Sequence, residues 1–222
     1  MRPFEEIFQL AADRKGGETQ LNELLEPPKH VDELISIRDD RWLSSMTKSI
    51  FQAGFNWKVV DRMWPGFEEA FNEFDIHTCA MLNEDDFDTL VSNKKIVRHG
   101  TKIRSVQENA AFLKALTADY GSAAKAIAQW PETDFVGLLE MLKKRGSRLG
   151  GTTAQYFLRD MNRDGFILSR DVVARLIAEG VVDKPPTSKA AMKHVQEAFN
   201  IWMGQSSRSL KEISRVLAMS IG

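Results

Sequence analysis

LKKRGSRLGGTTAQYFLRD, residues 142–160, predicts two helices joined by a tight glycine turn. A leucine-rich helix ends at Gly146, and the turn before the next helix contains Gly150 and Gly151. Glycine lets a backbone approach a phosphate closely, and the amide groups at a helix N-terminus point outward to receive the anion. The stretch therefore favours a phosphate-binding helix-hairpin-helix over an ordinary connection with a glycine cap.

Cations and hydroxyls surround this predicted hairpin. Thr152 is predicted to cap the second helix, and four nearby cations would attract neighbouring phosphates. The predicted phosphate-contacting residues are Lys143, Lys144, Arg145, Gly146, Arg148, Gly150, Gly151, Thr152 and Thr153.

The rest of the chain has a helical apolar period almost everywhere, and no strand alternation of useful length. One long helix is predicted over residues 39–54, capped by Asp39 or Asp40 and ended near Gly54. Pro65 is predicted to open the next helix. The fold class is therefore all-α, with about ten or more helices. We expect three consecutive parts: an N-terminal extension (1–38) packed on the core, a core (39–186), and C-terminal helices (187–222).

Composition narrows the class of protein. The 222 residues are 43% hydrophobic with a formal net charge of −1, so no overall positive field indicates nucleic acid. A basic cluster at residues 94–104 fits a solvated surface as well as a functional one. The single cysteine, Cys79, excludes an intramolecular disulfide and is expected to be inert core. No apolar run reaches the ~18 residues of a membrane span, and Met1–Lys15 lacks the apolar region of a signal peptide, so we expect a cytoplasmic protein.

An acidic residue follows the hairpin at a suggestive distance. Residues 166–168 are apolar and extended, Ser169 begins a helix, and Asp171 falls in its first turn. The positive end of the helix dipole would keep this carboxylate ionised. Taken alone, Asp171 is better explained as an acid in its favoured helical position.

Six segments occur in order along the chain: DDRWL (39–43), QAGFNW (52–57), AFNEFD (70–75), IVRHGTKI (96–103), Asn109-Ala110, and LKKRG with GTT (142–153). Together they resemble the helix-hairpin-helix superfamily of DNA glycosylases and, within it, the DNA-3-methyladenine glycosylase I family. The resemblance covers roughly residues 39–176.

The resemblance implies a pocket for a base extruded from the duplex. Trp57 would stack on that base, and an indole face binds an electron-poor methylated purine well. Gly54 would break the helix so that the chain turns around the pocket. Gln52 and Asn56 are the nearest amides that could read a base edge, or one could simply hold the turn. The predicted pocket set is Trp42, Ser49, Gln52, Phe55, Asn56 and Trp57, with Phe51 as a further aromatic neighbour.

The chain also departs from the family pattern. Ser49 stands where the family has a pocket glutamate, and residues 1–38 hold no counterpart of the family's tyrosine–histidine–aspartate stretch. The family's zinc ligands are missing: Asp171 falls near a ligand histidine and Arg175 near a ligand cysteine. We therefore expect no zinc and no other cofactor, although backbone carbonyls of the hairpin could hold a monovalent cation.

The implied function is a monofunctional, hydrolytic DNA glycosylase that releases alkylated purines of the 3-methyladenine type. Asp171 is the predicted catalytic carboxylate, which would stabilise the oxocarbenium-like sugar or activate the water. No lysine lies beside it to form a Schiff base. The alternative is a helix-hairpin-helix protein that binds DNA or lesions without catalysis. Double-stranded DNA with alkylated bases is the expected partner, a membrane is not, and the chain is expected to be a monomer.

Overall fold

The computed structural model describes residues 1–221, which contain fourteen α-helices, two short 3-10 helices and no strand. The predicted all-α fold class is confirmed. The first seven α-helices are α1 Phe4–Lys15, α2 Glu18–Glu23, α3 Val31–Ile35, α4 Asp39–Gln52, α5 Trp57–Ala70, α6 Ile76–Ala80 and α7 Glu84–Ser92. The remainder are α8 Gly100–Tyr120, α9 Ala123–Ala128, α10 Phe135–Arg145, α11 Thr152–Asp160, α12 Arg170–Ala178, α13 Lys189–Ser206 and α14 Leu210–Met219. The 3-10 helices are Asn72–Phe74 and Glu132–Asp134.

Several helix starts follow directly from local sequence. Asn83 begins α7 with a capping box, in which its side chain accepts a hydrogen bond from the Asp86 amide. Ser209 and Glu212 form the same reciprocal arrangement at α14, as their spacing predicts. These caps satisfy backbone donors that have no partner inside the helix.

Two predicted starts are wrong. Arg38 is the N-cap residue of α4, so Asp39 and Asp40 lie in its first turn, where the helix dipole favours carboxylates. Pro65 lies inside α5, which already begins at Trp57 because the Asn56 side chain caps it. A proline in the ninth position lacks one amide donor, yet the buried face of Val60 and Phe67 continues on both sides of it.

By its internal contacts the chain divides into two compact units, and each of them is discontinuous in sequence. One comprises residues 1–29, 131–137 and the chain from Asn162 onwards. The other comprises residues 30–130 and 138–161. The predicted division into three consecutive parts remains a prediction.

In the unit of residues 30–130 and 138–161, α8 supplies the central buried face. Five apolar positions on that face are all buried: Ile103, Val106, Ala110, Leu113 and Leu116. Trp42 of α4 packs edge-on against Phe157 of α11, with ring centroids 5.8 Å apart. This core holds the C-terminal end of α4 and the hairpin between α10 and α11 on one scaffold.

In the other unit, packed aromatic rings form part of the core. Phe166 lies between Phe135 and Phe199, at centroid distances of 4.8 and 4.3 Å. Gly165 is required next to them, because a Cβ there would collide with the Phe135 ring.

Cys79 is buried, as expected, and its thiol donates to the carbonyl of Phe71. Within residues 1–221, no helix combines the length and apolarity needed to cross a bilayer.

Candidate nucleic-acid interface and base pocket

The hairpin is a tight turn that depends on glycine. The Gly146 amide donates to the carbonyl of Leu142 at 2.9 Å and so closes α10. A Cβ on Gly146 would lie 2.8 Å from the carbonyl oxygen of Leu142, a backbone atom, and 2.7 Å from Leu149 Cδ1, so a side chain there would force the turn to shift. Gly151, with φ +58°, is the N-cap residue of α11. The prediction that Thr152 caps this helix is therefore wrong: Thr152 is its first helical residue, and no side chain caps it.

Asn109 holds the hairpin from below. Its side-chain amide donates to the carbonyl of Ser147 at 3.1 Å, and its carbonyl oxygen accepts from the Ser147 amide at 2.8 Å. Asn109 is fully buried. The sequence assigned no role to it, although a polar residue on the otherwise apolar face of α8 is a signal that could have been read.

The four predicted cations of the hairpin differ in whether they form an ion pair. Lys143, Lys144 and Arg148 are exposed. Arg145 forms an ion pair with Asp119, at 2.8 Å between Nη2 and Oδ2. The Lys143 side chain lies beside Gly150, since a Cβ on that glycine would meet its Cγ at 3.7 Å. The hairpin therefore presents positive charge on both sides of the glycine turn.

The QAGFNW segment is the turn between α4 and α5. α4 ends at Gln52, and Gly54 has φ +78°, a backbone conformation that favours glycine. Two large aromatic side chains beyond it are partly exposed: Phe55 at 39% and Trp57 at 46%. The ring in contact with Trp57 is that of Tyr156 on α11, perpendicular to it at 5.2 Å. The turn thus presents aromatic surface next to the helix that follows the hairpin.

The two amides of this segment already have protein partners. The Asn56 carbonyl oxygen accepts from the Lys58 amide and caps α5. The Gln52 side-chain amide donates to Asp61 Oδ1 at 3.0 Å. Both side chains therefore help to hold the turn.

Trp42, Phe51 and Ser49 are buried members of α4. Phe51 packs edge-on against Phe67 at 4.7 Å. Trp42 has no hydrogen-bond partner for its Nε1 among residues 1–221. These three side chains lie in the core, and none of them lines the cavity described below.

Lys102 lies at the centre of this region. It belongs to the basic cluster that could have been a solvated surface, but it is only 4% exposed. Its Nζ donates to the carbonyl oxygens of Ala53 at 2.6 Å and Phe51 at 3.3 Å. It also lies 4.5 Å from the centroid of the Phe55 ring.

A cavity of about 240 Å³ opens beside Lys102. It is lined by Ile50, Ala53, Lys102, Arg148 and Thr153. The cavity therefore joins the end of α4 to the hairpin. Burial lowers the pKa of the Lys102 ammonium, and repulsion from Arg148 lowers it further.

Asp171, the predicted catalytic residue, lies in the first turn of α12, with Ser169 as the helix cap. That placement is as the sequence predicts. Its side chain is 49% exposed, and one carboxylate oxygen lies 3.7 Å from Arg170 Nε. It belongs to the compact unit that contains the chain from Asn162 onwards. Its catalytic role remains a prediction.

Arg175 occupies the position where the resemblance places a zinc cysteine. Its guanidinium donates to Glu179 Oε1 at 3.0 Å, to the Ser220 hydroxyl at 2.8 Å and to the Ser220 carbonyl at 2.9 Å. Among residues 1–221 there is no group of three or more His, Cys, Asp or Glu side chains placed to hold a metal ion. The absence of zinc remains a prediction that metal analysis has to test.

Comparison with known proteins finds similar sequences among DNA-3-methyladenine glycosylases. The alignment to DNA-3-methyladenine glycosylase 1 of Escherichia coli (strain K12) is 28% identical and covers 47% of this chain and 66% of that protein. A DNA-3-methyladenine glycosylase of Haemophilus influenzae is 32% identical over 27% of this chain and 32% of its own length. The chain thus spans less than two thirds of the length of either relative.

Among solved structures, the 3-methyladenine DNA glycosylase I of Staphylococcus aureus, described for its recognition of 3-methyladenine, aligns with a TM-score of 0.49. It is 22% identical, and the alignment covers 62% of this chain and 79% of that one. The model of the family described as methyladenine glycosylase matches residues 35–174, more than half of the 222 residues. The chain therefore belongs to the methyladenine glycosylase family.

Proposed function

We propose that this protein is a monofunctional DNA glycosylase that releases methylated purines of the 3-methyladenine type from double-stranded DNA. The observation that carries the proposal is the cavity shared by the end of α4 and the hairpin, which Arg148 and Thr153 line from the hairpin side. A nucleotide whose phosphates sit on the hairpin could place its extruded base against the aromatic turn. Membership of the family and the names of the relatives support the same reaction.

The hairpin supplies the phosphate side of this proposal. α11 begins without a side-chain cap, so its Thr152 amide is available to an anion, whereas the Thr153 amide donates to the Gly150 carbonyl at 3.3 Å. The exposed Lys143, Lys144 and Arg148 would add attraction that does not depend on base sequence. Asn109 fixes the turn through both of its side-chain hydrogen bonds, so the amides are held in place before DNA arrives.

Trp57 supplies the base side. Its ring is nearly half exposed, and the perpendicular contact with Tyr156 leaves indole surface uncovered. A methylated purine is cationic in DNA, and stacking a cation on an indole is worth roughly 1–2 kcal/mol when the pair is desolvated. The cavity of about 240 Å³ is smaller than the ~300–1,000 Å³ of pockets for drug-sized ligands, which suits a single base.

The chemistry requires little of the protein once the base is extruded. Methylation of the ring weakens the N-glycosidic bond, and a carboxylate can stabilise the positive charge that develops on the sugar. We propose Asp171 as this carboxylate. It lies in the first turn of α12, at the positive end of the helix dipole.

The decisive experiment measures free base released from duplex DNA treated with a methylating agent, detected by chromatography and mass spectrometry. The wild-type chain should release 3-methyladenine. Trp57→Ala should lose most of this release while its affinity for undamaged duplex stays within a few fold, because the proposed phosphate contacts lie elsewhere. Tyr120→Ala is the matched control: an equally exposed aromatic near the end of α8, about 27 Å along that helix from Lys102.

Asp171→Asn preserves shape and removes charge in the same assay. It should reduce release by ~10²-fold or more, the usual order for loss of a key charge stabiliser, with DNA binding nearly unchanged. A variant that works at the wild-type rate would reduce Asp171 to a helix-start residue. Duplex binding without any base release by the wild type would instead favour the non-catalytic DNA-binding alternative.

A further inference from the structure

Lys102 is a buried cation without a counter-ion. Only 4% of its surface is exposed, and no carboxylate among residues 1–221 lies within ion-pair distance of it. Its partners are the carbonyl oxygens of Phe51 and Ala53, which are close to the end of α4. An ammonium group has three donors, so one N–H remains beyond these two bonds.

This arrangement does not stabilise the fold. A buried charge is costly unless it is paired with an opposite charge, and carbonyl dipoles compensate it only in part. Arg148 makes the environment more positive, since it lines the same cavity and repels Lys102. Ser49, at the position of the family glutamate, brings no negative charge to this helix end. The cavity is therefore electropositive before any ligand enters.

We propose that Lys102, assisted by Arg148, is a further catalytic residue that stabilises the electron pair taken by the departing base. The proposal rests on the proposed function, in which the cavity receives the base. The bond between sugar C1′ and the base nitrogen breaks, and both electrons go to the base. A water oxygen then bonds to C1′ and releases its proton. A methylated base leaves neutral, and a base that was neutral at the start takes up a proton.

The electrostatic advantage applies to either kind of base. In both, the base becomes one unit more negative as the bond breaks, so a fixed cation beside it favours the transition state over the ground state. With a methylated, cationic base the cation raises the energy of the bound ground state, and this repulsion is relieved during cleavage. With a neutral lesion base, attraction develops only during cleavage. The electropositive cavity therefore extends the substrate class to neutral damaged purines, such as deaminated adenine.

The test is single-turnover excision at saturating protein, with methylated duplex and with duplex containing hypoxanthine. Wild type should release both bases. Lys102→Met keeps the length of the side chain and removes the charge, and it should lower the rate constant by ~10²-fold on both substrates. On methylated DNA, the concentration of protein needed for half saturation should stay the same or fall. A purely structural role would not separate rate from affinity in this way. Lys102→Arg should recover at least a tenfold part of the loss.

A second variant covers the case in which Lys102→Met does not fold, as judged by circular dichroism. Arg148→Gln is exposed and should fold, and its rate constant at saturation should fall severalfold, whatever its loss of DNA affinity. A folded Lys102→Met with the wild-type rate constant overturns the proposal. An unfolded Lys102→Met together with an unchanged Arg148→Gln rate constant overturns it too. Failure of hypoxanthine release alone removes the extended substrate class. If wild type releases no base from either duplex, the proposed function fails and this proposal with it.

Discussion

Two buried cations in this chain are held in opposite ways. Arg175 has a carboxylate partner in Glu179 and a second anchor in Ser220, so the charge is neutralised and the hydrogen bonds fix the end of the chain. Lys102 has carbonyl oxygens and the Phe55 ring as partners but no carboxylate, and a cavity lies beside it. A cation that is neutralised by its neighbours stabilises the fold, whereas one that faces an open cavity is available to a ligand. The two side chains can be separated by what their removal does to stability.

Loss of Glu179 should give the largest effect on stability. The side chains of Arg175 and Glu179 are 8% and 2% exposed, so Glu179→Ala leaves a buried guanidinium without its partner. Breaking such a pair costs about 3–5 kcal/mol in the free energy of unfolding. Chemical denaturation of the wild type and the variant measures the difference.

The controls for that experiment are in the same unit. Glu197 pairs with Lys193 on the exposed surface of α13 at 3.7 Å, and Glu197→Ala should cost at most about 0.5 kcal/mol. The double variant Arg175→Met, Glu179→Leu should recover part of the stability, since it removes both charges together. If Glu179→Ala behaves like the surface control, Arg175 does not tie the unit together and the comparison with Lys102 collapses.

The features that could be predicted correctly from the sequence depend on short local patterns. The all-α class and the glycine hairpin depend on residues within a few positions of one another, as do the caps that the structure shows at Asn83 and Ser209. Their physics is complete in a short window, because a cap or a turn is satisfied by its immediate neighbours. The errors at Pro65 and Thr152 were also local, since a proline and a threonine each fit more than one position at a helix start.

The functional centre could not be read in the same way. Lys102 donates to the carbonyl oxygens of Phe51 and Ala53, which lie 51 and 49 positions earlier in the chain. Arg175 donates to Ser220, which lies 45 positions later. Lys102 does fall on the buried face of α8 with Val106 and Asn109, which indicates burial but not its partners. Only the fold shows that one cation meets a carboxylate and the other a cavity.

Lys102→Met should change stability less than Glu179→Ala. The variant leaves the carbonyls of Phe51 and Ala53 with fewer donors, which costs about 1–2 kcal/mol, but it also removes a desolvated charge. We therefore expect a net change within about 1–2 kcal/mol in denaturant unfolding. A loss as large as that for Glu179→Ala would assign Lys102 a structural role and contradict the contrast drawn between Lys102 and Arg175.

Metal removal should have the smallest effect. The thermal midpoint should be the same with and without a chelator, and elemental analysis should find no stoichiometric zinc. Arg175 stands at the position of a family ligand, and a guanidinium has no free lone pair to coordinate a metal. Where a structural metal is bound, its binding energy is part of the folding energy, so a chelator would lower the midpoint.

One zinc per chain would direct attention to Cys79 and the histidines. Burial, with a smaller contribution from Asp75, raises the pKa of the Cys79 thiol to about 12, so the thiolate that zinc requires is strongly disfavoured. A zinc-dependent midpoint would therefore contradict the prediction that this chain binds no structural zinc.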